Sequence, residues 1–343
     1  MQKLDILAIG DTTIDVFLTV DPQDSQAVCN LDEEECRISF EYGAKVPVSS
    51  MVRIPGVGNA ANLAVGSARL GLSSGIYTVL GSDKDSQDSK DVLTEEGVDG
   101  THIVMENGGK SNFSAVLNYS GERTIFVYHE LRKYDLPQFE SEWVYLTSVG
   151  KEHAKLHEQV LEHVARNNTK LAFNPGSYQL LDGVEKLKPV LEKASVLLVN
   201  REEAQRLVDG DIEDIERSDI ERSDIERSDI EGLFSKLKDT GAETIVITDG
   251  QRGSYATHDG REIWHMGVPD TPVVERTGCG DAYSTGFLTA IIKGESLIDA
   301  MLWGTMNASS VLQHVGAREG LLTSGQIVEW VEKYKSSLKP KMI

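Results

Sequence analysis

The chain opens on a short apolar run, Leu4-Asp5-Ile6-Leu7-Ala8-Ile9, closed by Gly10-Asp11. A run of that length punctuated by glycine predicts a buried strand. From Thr12 to about Pro55 no helical period appears. Asp15 to Val20 and Arg37 to Tyr42 alternate polar and apolar residues instead, which predicts strands. Asn59 to Leu72 is rich in Ala and Leu with glycine near its end, and predicts a helix. A strand is predicted at Gly75 to Leu80. Phe113 to Tyr119 and Arg123 to Tyr128 flank Ser120-Gly121-Glu122, the pattern of a hairpin with a three-residue glycine turn.

After the hairpin, strands are predicted at Trp143 to Ser148, Lys170 to Phe173, Val196 to Val199 and Thr244 to Thr248, with helices between them. A pair of long helices follows, Asp281 to Lys293 and Leu297 to His314. This alternation predicts an α/β fold, a doubly wound and mostly parallel sheet with helices on both faces. The β-only stretches, approximately 12–55 and 111–130, do not fit it. They are expected to form a small separate sheet covering a single main domain that spans 1–343.

One segment has no such period. From Asp214 the pentapeptide Asp-Ile-Glu-Arg-Ser repeats, and it ends at Asp229-Ile230-Glu231. Five residues advance an ideal helix by about 140° beyond a full turn, so Ile215, Ile220, Ile225 and Ile230 make no stripe. The expectation is a repeat expansion, 209–231, in an exposed connection between helices.

Composition alters the picture little, and charge alters it once. The chain has 34 Lys+Arg against 55 Asp+Glu, a net charge of −21. That disfavours general binding to nucleic acid or to an anionic membrane. Of this charge, −8 falls within Asp209 to Glu231, away from any motif. The three cysteines (Cys29, Cys36, Cys279) make no disulfide framework, and no CxxC metal spacing is present. No leader precedes the first strand and no run of about 18 apolar residues occurs, so a cytoplasmic location is expected.

The strongest chemical signal is Val274-Glu275-Arg276-Thr277-Gly278-Cys279-Gly280-Asp281 leading into a helix. The unpaired N–H groups and partial positive charge of a helix start suit an anion. A carboxylate in the first turn beside such a pocket is either an N-cap or a base that takes a proton from an attacking hydroxyl. The spacing does not choose between them. Gly56-Val57-Gly58-Asn59-Ala60-Ala61-Asn62 reads as GxGxxA. Its place after roughly 40 residues of β-rich chain argues against a dinucleotide fingerprint, which belongs at a first strand–helix turn.

Together with Asn200-Arg201-Glu202-Glu203 after a strand, Thr248-Asp249-Gly250-Gln251-Arg252-Gly253, and Gly10-Asp11-Thr12-Thr13-Ile14-Asp15 at the start, these stretches resemble, in order, the motifs of the ribokinase-like (PfkB) carbohydrate kinases. The resemblance covers the whole chain apart from the repeat. It implies ATP-dependent phosphorylation of a hydroxyl on a sugar or sugar derivative, under a β-sheet lid. Asp281 would be the general base, and backbone N–H groups of Gly278, Cys279 and Gly280 the anion hole. Asp15, Gly58, Asn59 and Asn62 would hold the sugar. Asn200, Thr248, Gly250, Gly253 and Asn307 would lie at the nucleotide. Glu203, with Asn200, would help hold Mg²⁺ through water. The resemblance also points to a homodimer joined through the lid.

Three departures stand out. Val57 replaces the first glycine of a usual Gly-Gly pair, which leaves the substrate open. Glu275-Arg276 replaces the usual Asp-Thr, whose Asp helps form a monovalent-cation site in many members, so the use of K⁺ is open too. Cys279 replaces a common alanine, and no histidine nearby in sequence would activate its thiol. Arg123, Tyr128, Arg132 and Lys133 could reach a sugar acid or phosphate, or simply be solvated; His129 reads as a surface residue. The rival readings are a nucleoside or sugar-phosphate kinase on the same fold, a non-catalytic sugar or nucleotide sensor, and a nicotinamide oxidoreductase.

Overall fold

Strand β1 (Leu4–Ile9) shows why the chain folds in layers. Ile6 and Ala8 point into one apolar cluster, and Leu4, Leu7 and Ile9 into another on the opposite face. A strand buried on both faces belongs inside a sheet with helices on each side. The computed structural model describes residues 3–20, 28–29, 38–119, 122–209 and 227–343.

In chain order β1 is followed by β2 (Thr13–Thr19), β3 (Val28–Cys29), β4 (Ile38–Ser39), β5 (Ser50–Val57), α1 (Asn59–Arg69), β6 (Ser74–Leu80), α2 (Lys84–Glu95) and β7 (Ile103–Met105). Next come β8 (Asn112–Tyr119), β9 (Glu122–Tyr128), β10 (Ser141–Leu146), α3 (Ala154–Asn167), β11 (Lys170–Phe173), α4 (Ser177–Leu180), α5 (Gly183–Leu191), β12 (Ala194–Asn200) and α6 (Arg201–Asp209). Last are α7 (Arg227–Lys238), β13 (Thr244–Thr248), β14 (Ser254–His258), β15 (Glu262–Met266), α8 (Cys279–Ile292), α9 (Leu297–Val311), α10 (Ser324–Tyr334) and β16 (Lys341–Met342).

Among the described residues the main sheet runs β16-β15-β14-β13-β12-β11-β10-β1-β6-β7. From β7 to β13 every pairing is parallel. The next parallel strand after β1 lies on one side of it, as β6, and β10 lies on the other. Winding therefore reverses beside β1, and a crevice opens at the carboxyl ends there. Asp11, Gly150 and Asn174 follow β1, β10 and β11 in that crevice.

The edge beyond β13 is antiparallel, which strand–helix alternation does not anticipate. Its turn is marked in the sequence: Asp259 and Gly260 both take positive φ, 59° and 69°, as tight hairpins require.

The β-only stretches do form a separate sheet, in the order β5-β2-β8-β9. Three details differ from the sequence reading. Tyr119 pairs with Glu122, so two residues, not three, connect the hairpin, and these two lie outside the described residues. Of Arg37 to Tyr42, Arg37 lies outside the described residues; among the rest the strand is Ile38–Ser39, and Tyr42 is fully exposed. Most of the pentapeptide repeat, 210–226, lies outside the described residues, but its end is no exposed connection. Ile230 is in α7 and buried with Leu233, Phe234 and Leu237.

Helix α8 carries the strongest motif, and its placement follows from small residues. Ala282 to Ala290 are all buried, the mark of a core helix. A Cβ on Gly286 would lie 2.5 Å from the Trp303 carbonyl oxygen, one on Gly304 2.9 Å from that of Tyr283, and one on Gly66 2.6 Å from Thr285 Cγ2. Glycines thus let α1 and α9 close on α8 from two sides. Gly286→Ala should force α8 and α9 apart at a backbone contact, an overpacking cost of about 1–3 kcal/mol. A melt followed by circular dichroism should show a Tm several degrees lower; an unchanged Tm would mean the helices do not depend on this approach.

Candidate active site

The loop before α8 is tied down from outside: the Val274 and Glu275 N–H groups both reach the Leu312 carbonyl oxygen, at 2.8 and 3.3 Å. Gly278 then turns at φ 76°, with a Cβ position 2.3 Å from Ala317 Cβ, so no other residue fits. No side chain caps α8, and the Cys279 N–H reaches only the Arg276 carbonyl oxygen, at 3.4 Å. A Cβ on Gly280 would meet no protein atom within 4 Å. The first turn therefore faces open space with its backbone donors, the arrangement that favours an anion.

Asp281 does not cap its own helix. Its Oδ2 accepts from Asn62 Nδ2 at 2.7 Å, linking α8 to α1. Desolvation pushes its carboxyl up to about 6; the Asn62 hydrogen bond opposes this, and the charge of Asp15 adds to it. Of the two readings the sequence left open, the N-cap is the one the geometry removes.

Asp15 is on β2 of the small sheet. Burial raises its carboxyl to about 6, against a hydrogen bond from Ser114 and the charge of Arg318. Gly58 takes φ 112°, and a Cβ there would lie 2.8 Å from the Asp11 carbonyl oxygen, so the start of α1 passes hard against the end of β1. Asn59 Nδ2 reaches Asn174 Oδ1 at 3.4 Å. Gly58, Asn59, Asn62, Asp15 and Asp281 are thus brought to one crevice from three elements.

Two groups in this crevice escaped the sequence reading. Asn174 Oδ1 also accepts from Tyr145 at 3.1 Å and Thr147 at 3.3 Å, while its Nδ2 donates to the Leu198 carbonyl. Buried Asp11 receives the Tyr134 hydroxyl on both oxygens, at 2.9 and 3.0 Å, and Tyr134 in turn accepts from the Gly150 N–H. Burial raises the Asp11 carboxyl to about 6. Asp11 fell within the first motif but was given no role, and Asn174 fell in none; each gains its partners only because strand ends meet.

On the other side of the α8 terminus lies a cavity of about 580 Å³. Thr248, Gly250, Gly253, Cys279 and Gly280 line it. Gly253 (φ 93°) is required by the fold alone, because a Cβ would fall 2.0 Å from the Met266 carbonyl oxygen. Asn307 is not in this cavity. It is fully buried, its Nδ2 donating to the Ala282 carbonyl at 2.8 Å and its Oδ1 accepting from the Leu322 N–H at 3.0 Å. Its amide ties α9 to α8, behind Thr305 and Ala308, which do line the cavity.

Asn200 and Glu203 make a reciprocal capping box at the start of α6: the Glu203 N–H donates to Asn200 Oδ1 (2.9 Å) and the Asn200 N–H to Glu203 Oε2 (2.8 Å). The motif therefore has a structural task in its own right. Burial pushes the Glu203 carboxyl up to about 7, and Asp281 adds to this. Among the described residues no group of three acids, histidines or cysteines could cage a metal. Hard oxygens on two mutually repelling carboxylates nonetheless fit a Mg²⁺ ion that keeps its waters and takes its remaining oxygens from phosphate.

Cys279 is no nucleophile: burial, then the charge of Glu275, pushes its thiol up to about 12. Arg132 is buried against Glu106 (2.7 Å) and the Lys110 carbonyl. The Tyr128 hydroxyl turns to Glu130. His129 is half-buried at the edge of the crevice; Nδ1 lies 3.9 Å from Asp11 Oδ2, and burial lowers its basicity. Arg318, in the loop after α9, is buried, donates to the Pro55 carbonyl and faces Asp15. Among the described residues no helix is long and apolar enough to cross a membrane.

A buried carboxyl, an uncapped helix start and an adjoining cavity form an arrangement suited to moving a phosphoryl group onto a hydroxyl. Comparison with known proteins agrees in kind. A 5-dehydro-2-deoxygluconokinase of Shouchella clausii is 25% identical, over 97% of this chain and 97% of its own. A nucleoside kinase of Methanocaldococcus jannaschii is 24% identical, over 81% and 86%. The structure of Arabidopsis thaliana ribokinase complexed with ribose and ATP superposes with a TM-score of 0.77 at 17% identity, over 96% of this chain and 99% of that one. The model of the pfkB family carbohydrate kinases matches residues 5–324, and the chain belongs to that family.

Proposed function

We propose that this kinase transfers the γ-phosphoryl group of ATP to a hydroxyl of a small neutral sugar or sugar derivative, with Asp281 as general base. The observation that carries the reading is the position of Asp281. It is fixed by Asn62 at the start of an uncapped helix, between the crevice that holds Asp15 and the cavity that holds Thr248 and Gly250. The N–H groups of Gly278, Cys279 and Gly280 serve as the anion hole. Asp15, Gly58, Asn59 and Asn62 hold the sugar, joined by Asp11 and Asn174. The small sheet, drawn from approximately 12–55 and 111–130, acts as a lid that excludes water.

The carboxylates support a neutral acceptor. A sugar phosphate would bring more negative charge among Asp11, Asp15 and Asp281, each already raised toward neutrality by burial. A nucleoside carries no such charge, and a nucleoside kinase is among the relatives; it is the second reading. Mg²⁺, held near Glu203 and Asn200 through water, supplies positive charge that offsets the phosphates.

The lid also exposes Met51 (67%), Phe126 (62%) and Tyr128 (50%), more apolar surface than a small sheet usually leaves in water. The occupant inferred for it is the lid of a second copy. Light scattering should then give twice the chain mass, and Phe126→Asp should reduce it to one. A monomeric wild type would remove this part of the reading.

Asp281→Asn should lower kcat by about 10²–10⁴-fold and leave ATP binding within a few-fold. Unchanged turnover would remove the assigned base. The same variant tests the proton linkage. In the folded chain this carboxyl titrates near 6, above its ordinary value of 3.8. Its contribution to stability is full below the ordinary value and is lost as pH rises through 6. At pH 7.5 the charge is therefore a net cost, and Asp281→Asn should melt no lower than wild type. For activity the sign is opposite, since the base must be ionised: wild-type kcat should fall as pH drops through about 6. An acid limb that persists unchanged in the residual rate of Asp281→Asn would assign the titration elsewhere.

A further inference from the structure

Glu275 lies three residues before Gly278, and its carboxylate is the knot of the anion-hole loop. Oε1 accepts from the Thr277 N–H at 2.8 Å, the Thr277 hydroxyl at 2.5 Å and Arg123 Nη1 at 2.9 Å. Oε2 accepts from the Gly316 N–H at 3.3 Å. Two of these partners border the walls of the hole. Thr277 precedes Gly278, and Gly316 precedes Ala317, the residue on which Gly278 is packed. Gly316 also touches the small sheet, since a Cβ on it would lie 2.5 Å from Ile54 Cδ1. Whatever orients Glu275 therefore orients the loop.

Arg123 belongs to a different body. It is on β9, the outer strand of the small sheet, opposite Asn118 of β8. Its side chain crosses to Glu275, which is only 11% exposed. The two elements have no sequence proximity, being 152 residues apart.

The family resemblance implies a monovalent cation where Glu275 stands. The residues present do not fit one. Three donors already crowd Oε1 and a fourth reaches Oε2, so this carboxylate is largely committed to hydrogen bonds. Arg276, the next residue, is a second arginine in place of a neutral threonine.

We propose that Arg123 is a positioning residue, a fixed guanidinium on the lid that holds Glu275 and thereby sets the anion-hole loop when the lid is closed, in place of an alkali cation. Full lid closure and a competent anion hole become one event. A γ-phosphoryl group meets an ordered loop only when the lid strand is down. The proposal rests on the kinase reading above.

The test is Arg123→Gln, with Arg123→Lys beside it, assayed in K⁺ and in choline at equal ionic strength. Wild type should turn over within about twofold in the two salts, and its Tm should agree within 1 °C. Arg123→Gln should lose ten- to a hundredfold in kcat with little change in sugar KM or Tm, and Arg123→Lys should recover most of it. A second measurement needs no turnover. With sugar present, Arg123→Gln should weaken the magnesium complex of a non-hydrolysable ATP analogue about tenfold, and that of ADP hardly at all. Equal effects on both nucleotides, wild-type kcat in Arg123→Gln, or a tenfold loss by wild type in choline would each overturn the proposal. The binding readout separates its failure from that of the kinase reading, which Asp281→Asn decides.

Discussion

The organisation of this chain turns on a helix that begins without a cap. Most helices satisfy their first N–H groups with a side chain or water. Helix α8 keeps a cavity in front of them, between Gly278, whose backbone is forced by Ala317, and Gly280, which faces open space. Such a terminus must be held by something other than capping. Here it is held by packing: Gly66 of α1 and Gly304 of α9 let their helices close on it, and Asn307 ties the Ala282 carbonyl to the segment after α9. The core therefore supplies the rigidity that an electrostatic site needs.

A consequence is that the centre of the molecule is charged in a way the whole is not. Asp11, Asp15, Asp281 and Glu203 converge near the carboxyl ends of the sheet, and each is raised by burial. The net charge of −21 has little to do with this, since −8 of it falls in Asp209 to Glu231, the segment that holds the Asp-Ile-Glu-Arg-Ser repeat. Stability is lowered where ionised groups are desolvated. The partners provided in return are local: Asn62 for Asp281, Tyr134 for Asp11, Arg318 beside Asp15.

What the sequence disclosed and what it hid follow the same division. The uncapped helix start at Gly278 to Asp281 could be read because the residues that make it are contiguous. The parallel sheet could be read because strands buried on both faces carry uninterrupted apolar runs. Asn307 could not be placed, because helical position does not say whether an amide faces a cavity or a neighbouring carbonyl. Asn200 and Glu203 have the i, i+3 spacing of a capping box as well as that of a motif, and the spacing alone cannot separate the two. Asn174, Arg318 and Glu275 gain their partners from strands and loops far away in the chain. Arg123 in particular looks like one more solvated base on a hairpin until the fold brings Glu275 beneath it.

The two sheets impose an order on events. Asp15 is on the small sheet and Asp281 on helix α8, which packs in the core of the main domain, and each carboxyl feels burial first; the charge of Asp15 then raises Asp281 further. Bringing the sheets together with both groups ionised is therefore opposed, and water lost from the crevice makes it more so. The charges of buried Arg318 and of Arg123 offset part of that opposition at Asp15. A ligand that donates hydroxyl hydrogens to both carboxylates offsets the rest, because a hydrogen bond to the charged form favours it. Closure without an acceptor leaves the repulsion standing. On the function proposed above, an acceptor hydroxyl therefore favours the approach of the two sheets around Asp281.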